Sequence, residues 1–248
     1  MAPGLTVQFH PDWPHEHGLV IEAMVLDGRY RTQFETGTSN GGLTAHPGGD
    51  RWRWESRLFG GEYDRQHASS RPIYGAWNRC DDVYGGSPRF GSAYLRLRPH
   101  VLENTTFCFP DSVFEPTEVG DSAALPRLSA LADSAALDDL DDYVEAHVHS
   151  GLKLADDVEA VVLDPCHRDG AVAEAAGRLG CDVEFHPGFR LRTADLDVGF
   201  RGPGPVALAR ELGDVITPGV VARAARSGAY ESQNVKRLWH LLARFGRQ

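Results

Sequence analysis

The sequence has few cysteines, and no two of them lie close together. The four are Cys80, Cys108, Cys166 and Cys181, and no pair has the CxxC spacing. A disulfide framework or a structural zinc site would need cysteines in closer or more regular spacing. The pattern therefore argues against both and is typical of a chain that works in a reducing compartment.

The sequence also lacks long apolar runs and a recognisable leader. No stretch approaches eighteen consecutive apolar residues, which argues against a helical membrane span. Residues 1–5 (MAPGL) show no basic segment followed by an apolar one, so no cleavable secretory signal is indicated. We expect a cytoplasmic protein, or an effector secreted without a cleavable signal peptide, and no membrane partner.

Positive charge is scarce. The chain has 25 Lys and Arg against 35 Asp and Glu, which gives a formal net charge of −10. A nucleic-acid partner requires a basic surface, so this balance argues against one. Hydrophobic residues make up 42% of the chain, which is enough for a globular core.

One long region of the chain is locally basic and rich in glycine. From Arg29 to Arg98 there are eleven Lys and Arg against seven Asp and Glu, and with Gly28 included the region holds twelve of the 27 glycines. Such loops let backbone NH groups approach an anion closely. A loop-rich β domain with scattered surface arginines would have the same composition, and composition does not separate the two.

Short β-like runs separated by Gly, Pro and Asp dominate the first 200 residues, and helical patterns dominate the rest. The predicted strands cover residues 30–36, 73–77, 92–97, 105–109, 143–149, 158–163, 183–185 and 189–192. The predicted helices cover residues 171–179, 205–212, 220–226 and 231–245, and residues 129–140 are predicted as a short acidic helix or an ordered loop. We therefore predict an α+β fold, with a β core at 1–200 and a small helical cap at 201–248.

Two polar blocks could contribute to a site. Residues 30–42 are typical of a strand followed by a loop that contains hydroxyl side chains, an amide and glycines. Such a loop could bind an amide or a ribose, and a polar hairpin turn is the alternative. Residues 87–97 and 105–112 read as two strands that lead to Asp111 and Ser112. Taken alone, that acid–hydroxyl pair is an ordinary turn or helix cap.

A third block, residues 141–151, places a carboxylate beside two imidazoles. Val144, Ala146 and Val148 alternate with Glu145, His147 and His149 (residues 144–149), so the three polar side chains share one face of a strand. The HxH pair could instead hold zinc, as in a metal-dependent hydrolase. The absence of an HExxH motif, and of a second cluster with the spacing of zinc ligands, argues against a zinc site.

The order of these blocks resembles a bacterial family of formerly unknown function, the CteC-type group of PARP-like ADP-ribosyltransferases, described by an Asp–Glu catalytic pair. The motifs that carry the resemblance are residues 33–41, 71–76, 87–92, 105–107, 111–112, 145–149, 163–165, 183–189 and 239–240. They extend over nearly the whole chain, and several are long and irregular. The resemblance implies an ADP-ribosyltransferase-like split sheet, mixed or antiparallel, with a C-terminal helical subdomain.

The resemblance also implies roles for individual residues, with NAD as co-substrate and no metal. Glu145 would be the central catalytic residue and Asp111 the second acid. The NAD-binding residues would be Arg31, Glu35, Thr36, Gly37, Thr38, Tyr74, Arg89, Phe90 and Ser92. Within that set, residues 35–38 would hold nicotinamide and its ribose, the two aromatic rings would pack on the flat ring, and the two arginines would face the pyrophosphate.

The implied activity is mono-ADP-ribosylation of a target protein, and CteC-type enzymes modify a threonine hydroxyl of ubiquitin. The sequence departs from the two usual classes, because it has no His-Gly-Thr on its first strand and no Ser-Thr-Ser on a later one. An NAD glycohydrolase on the same fold remains an alternative. The helical cap would recognise the target, so Arg223→Glu or Lys236→Glu would weaken transfer to protein and spare NAD hydrolysis.

Overall fold

The computed structural model describes residues 4–16, 18–37, 44–149, 151–196 and 198–248. The strands are β1 (Gly4–Phe9), β2 (Pro14–His15), β3 (Gly18–Leu19), β4 (Ile73–Asn78), β5 (Ala93–Leu97), β6 (Thr105–Cys108), β7 (Val144–Val148), β8 (Val158–Leu163), β9 (Asp182–Phe185), β10 (Leu191–Arg192) and β11 (Val215–Ile216). The helices are α1 (Val20–Asp27), α2 (Gln33–Thr36), α3 (Asp50–Leu58), α4 (Leu125–Ser134), α5 (Leu154–Asp157), α6 (Ala171–Ala176), α7 (Pro203–Leu212), α8 (Pro218–Ser227) and α9 (Ser232–Phe245).

Seven strands form one sheet in the order β6-β7-β4-β1-β5-β8-β9. Every neighbouring pair is antiparallel except β8 and β9, which run parallel. The predicted α+β class with a mixed sheet is therefore confirmed. Six strand predictions match a strand of this sheet closely, namely those at residues 73–77, 92–97, 105–109, 143–149, 158–163 and 183–185.

The central strand β1 was not predicted from the sequence. Leu5, Val7 and Phe9 pack into the main apolar cluster on one face of the sheet. On the other face Thr6 and Gln8 are also buried, where Thr6 Oγ1 accepts from the NH of Gly86 at 3.0 Å and Gln8 Nε2 donates to the Tyr84 carbonyl at 2.7 Å. The strand is buried on both faces because its polar side chains find partners inside the protein.

Two apolar clusters stabilise the fold. Helices α1, α4 and α6 pack in the first, on the face of the sheet that carries Leu5, Val144 and Val148. Helices α7, α8 and α9 form the second, together with Phe189 and Leu191. The three predicted C-terminal helices are therefore present, whereas a domain division at residue 200 stays a prediction, since the second cluster includes residues on both sides of it.

The predicted strand over residues 30–36 is wrong. The structure has helix α2 there, and Thr32 and Glu35 form its capping box: Thr32 Oγ1 accepts from the Glu35 NH at 3.2 Å, and Glu35 Oε2 accepts from the Thr32 NH at 2.9 Å. The spacing Thr-x-x-Glu is a known helix-start signal and outweighs the β-like composition of this segment. The predicted helix over 129–140 begins earlier, at Leu125, and ends at Ser134.

No helix among the described residues is both long and apolar enough to cross a membrane.

Candidate active site

A cavity of about 460 Å³ lies where β1, β4 and β7 meet α1, α3 and α9. Aromatic side chains form much of its wall, and Glu145 is the carboxylate contributed by the sheet. The aromatic residues at the wall are Phe9, Trp13, Tyr30, Tyr74, Phe90, Tyr143 and Trp239. Ligand sites of small molecules usually have this size and mixed lining, so we take the cavity as the candidate active site.

Glu145 is held in one position by its neighbours. It is buried on β7, where Ser112 donates from its backbone NH to Oε1 at 3.2 Å and from its hydroxyl to Oε2 at 3.3 Å. His147 Nε2 lies 3.0 Å from Oε1. Both carboxylate oxygens therefore have partners, and the group is fixed before any ligand enters.

The two predicted acids have pKa values shifted in opposite directions. Burial alone would raise the pKa of Glu145, but the hydrogen bond and charge of His147, the charge of Arg51 and the bond from Ser112 outweigh it and hold the pKa below its ordinary value. Burial and the nearby charge of Glu145 raise the pKa of Asp111. Such a separation is typical of a pair in which one carboxylate stays ionised and the other can hold a proton.

Asp111 lies behind the cavity wall. Its Oδ1 accepts from the Val113 NH at 2.9 Å and caps a short turn, Ser112–Phe114, while its Oδ2 accepts the hydroxyl of Tyr143. Tyr143 itself lines the cavity, and Asp111 does not. The second acid therefore reaches the cavity only through the tyrosine hydroxyl.

His147 and His149 belong to a partly buried chain of hydrogen bonds that ends at Glu145. Thr106 Oγ1 lies 3.2 Å from His147 Nδ1 and 2.8 Å from His149 Nε2, and the Tyr63 hydroxyl lies 2.6 Å from His149 Nδ1. Cross-strand pairing explains the geometry, because Thr106 and His147 are direct partners in the β6–β7 ladder.

If both imidazole rings are neutral, the hydrogen bonds in this chain can be donated in one direction only. A carboxylate only accepts, so His147 Nε2 must donate to Glu145 and its Nδ1 must accept from the Thr106 hydroxyl. Thr106 then accepts from His149 Nε2, and His149 Nδ1 accepts from Tyr63. Burial lowers the pKa of His149 to about 4, which keeps that ring neutral near pH 7. In the form in which His147 is neutral as well, every donor in the chain points towards Glu145.

The arginines that the resemblance assigns to the pyrophosphate both line the cavity, but both are paired with carboxylates. Arg31 Nε donates to Asp27 at 2.6 Å, and its Nη1 donates to Glu16 at 2.7 Å. Arg89 Nη1 donates to Asp141. Their positive charges are already compensated within the protein.

The structure separates the other predicted binding residues into two groups. Thr36, Tyr74 and Phe90 line the cavity. Glu35 does not: it forms a two-pronged ion pair with Arg29, at 2.9 and 2.6 Å, in addition to capping α2.

Two of the three remaining predicted residues, Gly37 and Ser92, do not line the cavity. Gly37 ends α2 in the left-handed conformation, with φ of 65°, and is not at the wall. Ser92 is buried away from the cavity. Thr38 lies outside the described residues.

The cavity residues that the sequence reasoning missed include two cations, Arg51 and Lys236. Arg51 is on α3 and donates from Nη1 to Ser112 Oγ at 2.9 Å, beside Glu145. Lys236 is on α9, half-buried at the wall. The sequence had led us to expect Lys236 on the outer surface of a helical cap that recognises the target protein, and the structure does not place it there.

One group of side chains could hold a metal ion. Cys108 Sγ lies 3.8 Å from both Glu145 Oε1 and His147 Nε2, and all three residues are buried. The HxH pair suggested by the sequence does not converge in this way, because both nitrogens of His149 bond to Thr106 and Tyr63. Burial and the charge of Glu145 raise the pKa of the Cys108 thiol far above its ordinary range, so this ligand would have to give up a tightly held proton.

The sequence matches a known protein family over most of its length. A family model described as "Protein of unknown function (DUF3626)" matches residues 5–131 and 122–245, which together span nearly the whole chain. No curated protein matches the sequence.

Proposed function

For this chain, which belongs to the DUF3626 family, we propose the activity of a mono-ADP-ribosyltransferase that cleaves NAD and transfers ADP-ribose to a protein side chain. The observation that carries the proposal is Glu145: an ionised carboxylate, fixed by Ser112 and His147, at the wall of an aromatic-lined cavity.

The chemistry of NAD cleavage needs such a group. The bond between C1′ of the ribose and the nicotinamide nitrogen breaks, and its electron pair leaves with neutral nicotinamide. Positive charge then develops on the sugar, where a fixed carboxylate stabilises it. An acceptor hydroxyl forms the new bond to C1′ and releases its proton.

Asp111 and Tyr143 offer a route for that proton. As the acceptor hydroxyl gives its proton to the Tyr143 oxygen, the tyrosine gives its own to Asp111, to which it is already hydrogen-bonded. The raised pKa of Asp111 suits a group that takes up a proton. This keeps the second acid in the mechanism, acting through Tyr143.

The cavity suits a dinucleotide in size and lining. Its volume falls in the range of about 300–1,000 Å³ for ligand sites. Tyr74 and Phe90 present rings to its interior, which favours a flat heterocycle. The assignment of the sheet to the split ADP-ribosyltransferase type belongs to the same proposal, and so does ubiquitin threonine as the acceptor, which rests on the resemblance.

The test is incubation of the purified protein with NAD labelled in its adenine half, with and without a cell lysate or ubiquitin. Nicotinamide release together with label on protein supports a transferase. Nicotinamide release without protein labelling supports an NAD glycohydrolase on the same site. Absence of both, with intact fold, refutes the proposal.

A metal-dependent hydrolase is the second candidate, favoured by the Cys108, Glu145 and His147 group alone. The proposed mechanism uses no metal, so dialysis against EDTA is expected to leave nicotinamide release unchanged. A large loss that zinc restores, with zinc found by elemental analysis, would establish the metal site instead.

The hydrogen-bond chain behind Glu145 predicts a pH effect. Thr106→Val removes the hydroxyl that links the two histidines and so interrupts the hydrogen-bond chain. The ionised form of Glu145 is then less stabilised, and its pKa rises. Because activity needs ionised Glu145, the acid limb of the pH–rate profile is expected to move to higher pH, with kcat lowered by about three- to tenfold.

The control for this variant is Thr105→Val, the neighbouring residue on β6, whose hydroxyl donates to the Val101 carbonyl at 2.7 Å and faces away from the chain. Thr106→Ser should restore the wild-type profile. An unchanged acid limb in Thr106→Val would show that the chain has no influence on Glu145.

A further inference from the structure

We infer that Arg51 and Lys236 hold the phosphate groups of the ligand in this cavity, rather than the two arginines that the resemblance assigns to them. The inference rests on the proposed function for the identity of the ligand, a nucleoside diphosphate or its dinucleotide. Its physical basis is independent of catalysis.

Arg51 is a buried cation without a carboxylate partner in the described residues. Its side chain is only 6% exposed, Nη1 donates to Ser112 Oγ at 2.9 Å, and Nε has no hydrogen-bond partner there. The guanidinium lies over the Tyr74 ring at 4.7 Å and near Trp54 at 5.2 Å. Glu145 and Asp111 act on this charge only through space, without a direct ion pair, so an anion in the cavity could bind the guanidinium without displacing a carboxylate.

Lys236 is the second cation at the wall without a carboxylate partner, within the ranges that the structure describes. Burial and the positive charges of Arg89, Arg201 and Arg237 lower its pKa to about 8. The lysine therefore sits where the local potential is positive and a negative charge is favoured. Ser232 and Gln233, in the first turn of α9, also line the cavity.

The other arginines at the wall differ from Arg51 because each of them already forms an ion pair with a carboxylate. Arg31 is bound by Asp27 and Glu16, Arg29 by Glu35, and Arg89 by Asp141. To grip a phosphate, each would have to share or break an existing ion pair. Arg51 and Lys236 need break none, so an anion gains most by binding between them.

The assignment changes the role of the C-terminal helix. Because Lys236 belongs to α9, this helix supplies part of the ligand site itself. Substitution of Lys236 should then affect NAD binding as well as transfer to protein, which the sequence alone did not suggest.

The experiment is titration calorimetry of the purified full chain with ADP, which has the phosphates but no nicotinamide bond to cleave. Arg51→Gln and Lys236→Met are each expected to weaken ADP binding by about tenfold or more, because each removes a charge-assisted hydrogen bond. The matched control is Arg31→Gln, which is expected to change affinity less than threefold. Circular dichroism checks that each variant is folded.

Adenosine serves as the uncharged probe, and its weaker binding should be the same in wild type and variants. The inference is overturned if ADP fails to bind the wild type at millimolar concentration, if both variants bind ADP normally, or if Arg31→Gln has the larger effect. If ADP binding depends on Arg51 and Lys236 but NAD is not cleaved, the proposed function fails and this site stands.

Discussion

Glu145→Gln is expected to lower nicotinamide release by about 100-fold or more while the protein stays folded and still binds ADP. Glutamine keeps the shape of the side chain and can still accept from Ser112, but it carries no charge. The lost charge matters most when the ribose becomes positive, so the loss should fall on kcat more than on KM. Steady-state measurement of nicotinamide release, with ADP titration alongside, separates the two parameters.

The matched control is Glu35→Gln. The resemblance places this glutamate in the NAD site, whereas the structure places it in an ion pair with Arg29 and at the start of α2. The control should keep turnover within a few-fold of wild type and lose about 1 kcal/mol of stability through the weakened cap. Near-normal turnover in Glu145→Gln would remove the proposed mechanism.

Trp239→Ala is expected to lower the free energy of unfolding by about 3–5 kcal/mol. Trp239 is among the largest fully buried side chains, and its ring packs on His10 and Phe189 at centroid distances of 4.8 and 5.1 Å. Its Nε1 donates to the carbonyls of Pro88 and Arg89 at 3.1 and 3.0 Å. Truncation leaves a void at the cavity wall and removes a donor from both carbonyls.

Urea unfolding followed by far-ultraviolet circular dichroism measures this loss. Trp239→Phe keeps most of the apolar contact and loses only the donor, so it should cost about 1–3 kcal/mol. Leu26→Ala, at a side chain that is 88% exposed on α1, should change stability by less than about 0.5 kcal/mol. A small effect of Trp239→Ala would mean that α9 does not depend on this ring.

Strand β7, which carries Glu145, was accessible to sequence reasoning because it follows a simple physical rule. Alternation over residues 144–149 put Glu145 and His147 on one face, and the structure buries that face against Thr106 and Tyr74 on the neighbouring strands. The class of fold followed from the same kind of pattern.

Arg51 could not be found in this way, for a physical reason. Helix α3 has the sequence DRWRWESRL, and its fully buried residues are Arg51 and Glu55. Glu55 is paired with Arg71 and also accepts from the Tyr74 hydroxyl at 2.8 Å. A helix that buries charges has no apolar stripe, so hydrophobic periodicity does not reveal it.

The compensation of Arg31 and Arg89 was also invisible in the sequence. Both are arginines in a basic region, as an anion site would have. Asp141, however, is 52 residues from Arg89 and meets it only in the folded chain. Whether a charge is free to bind a ligand depends on such pairings, which composition does not contain.

The hydrogen bonds from Trp239 to Pro88 and Arg89 join segments 151 and 150 residues apart, and Arg51 meets Ser112 across 61 residues. These contacts bring together parts of the wall that are far apart along the chain. The cavity wall is therefore complete only when the first strand of the sheet, the central segments and α9 are all in place, which makes ligand binding a reporter of the native state.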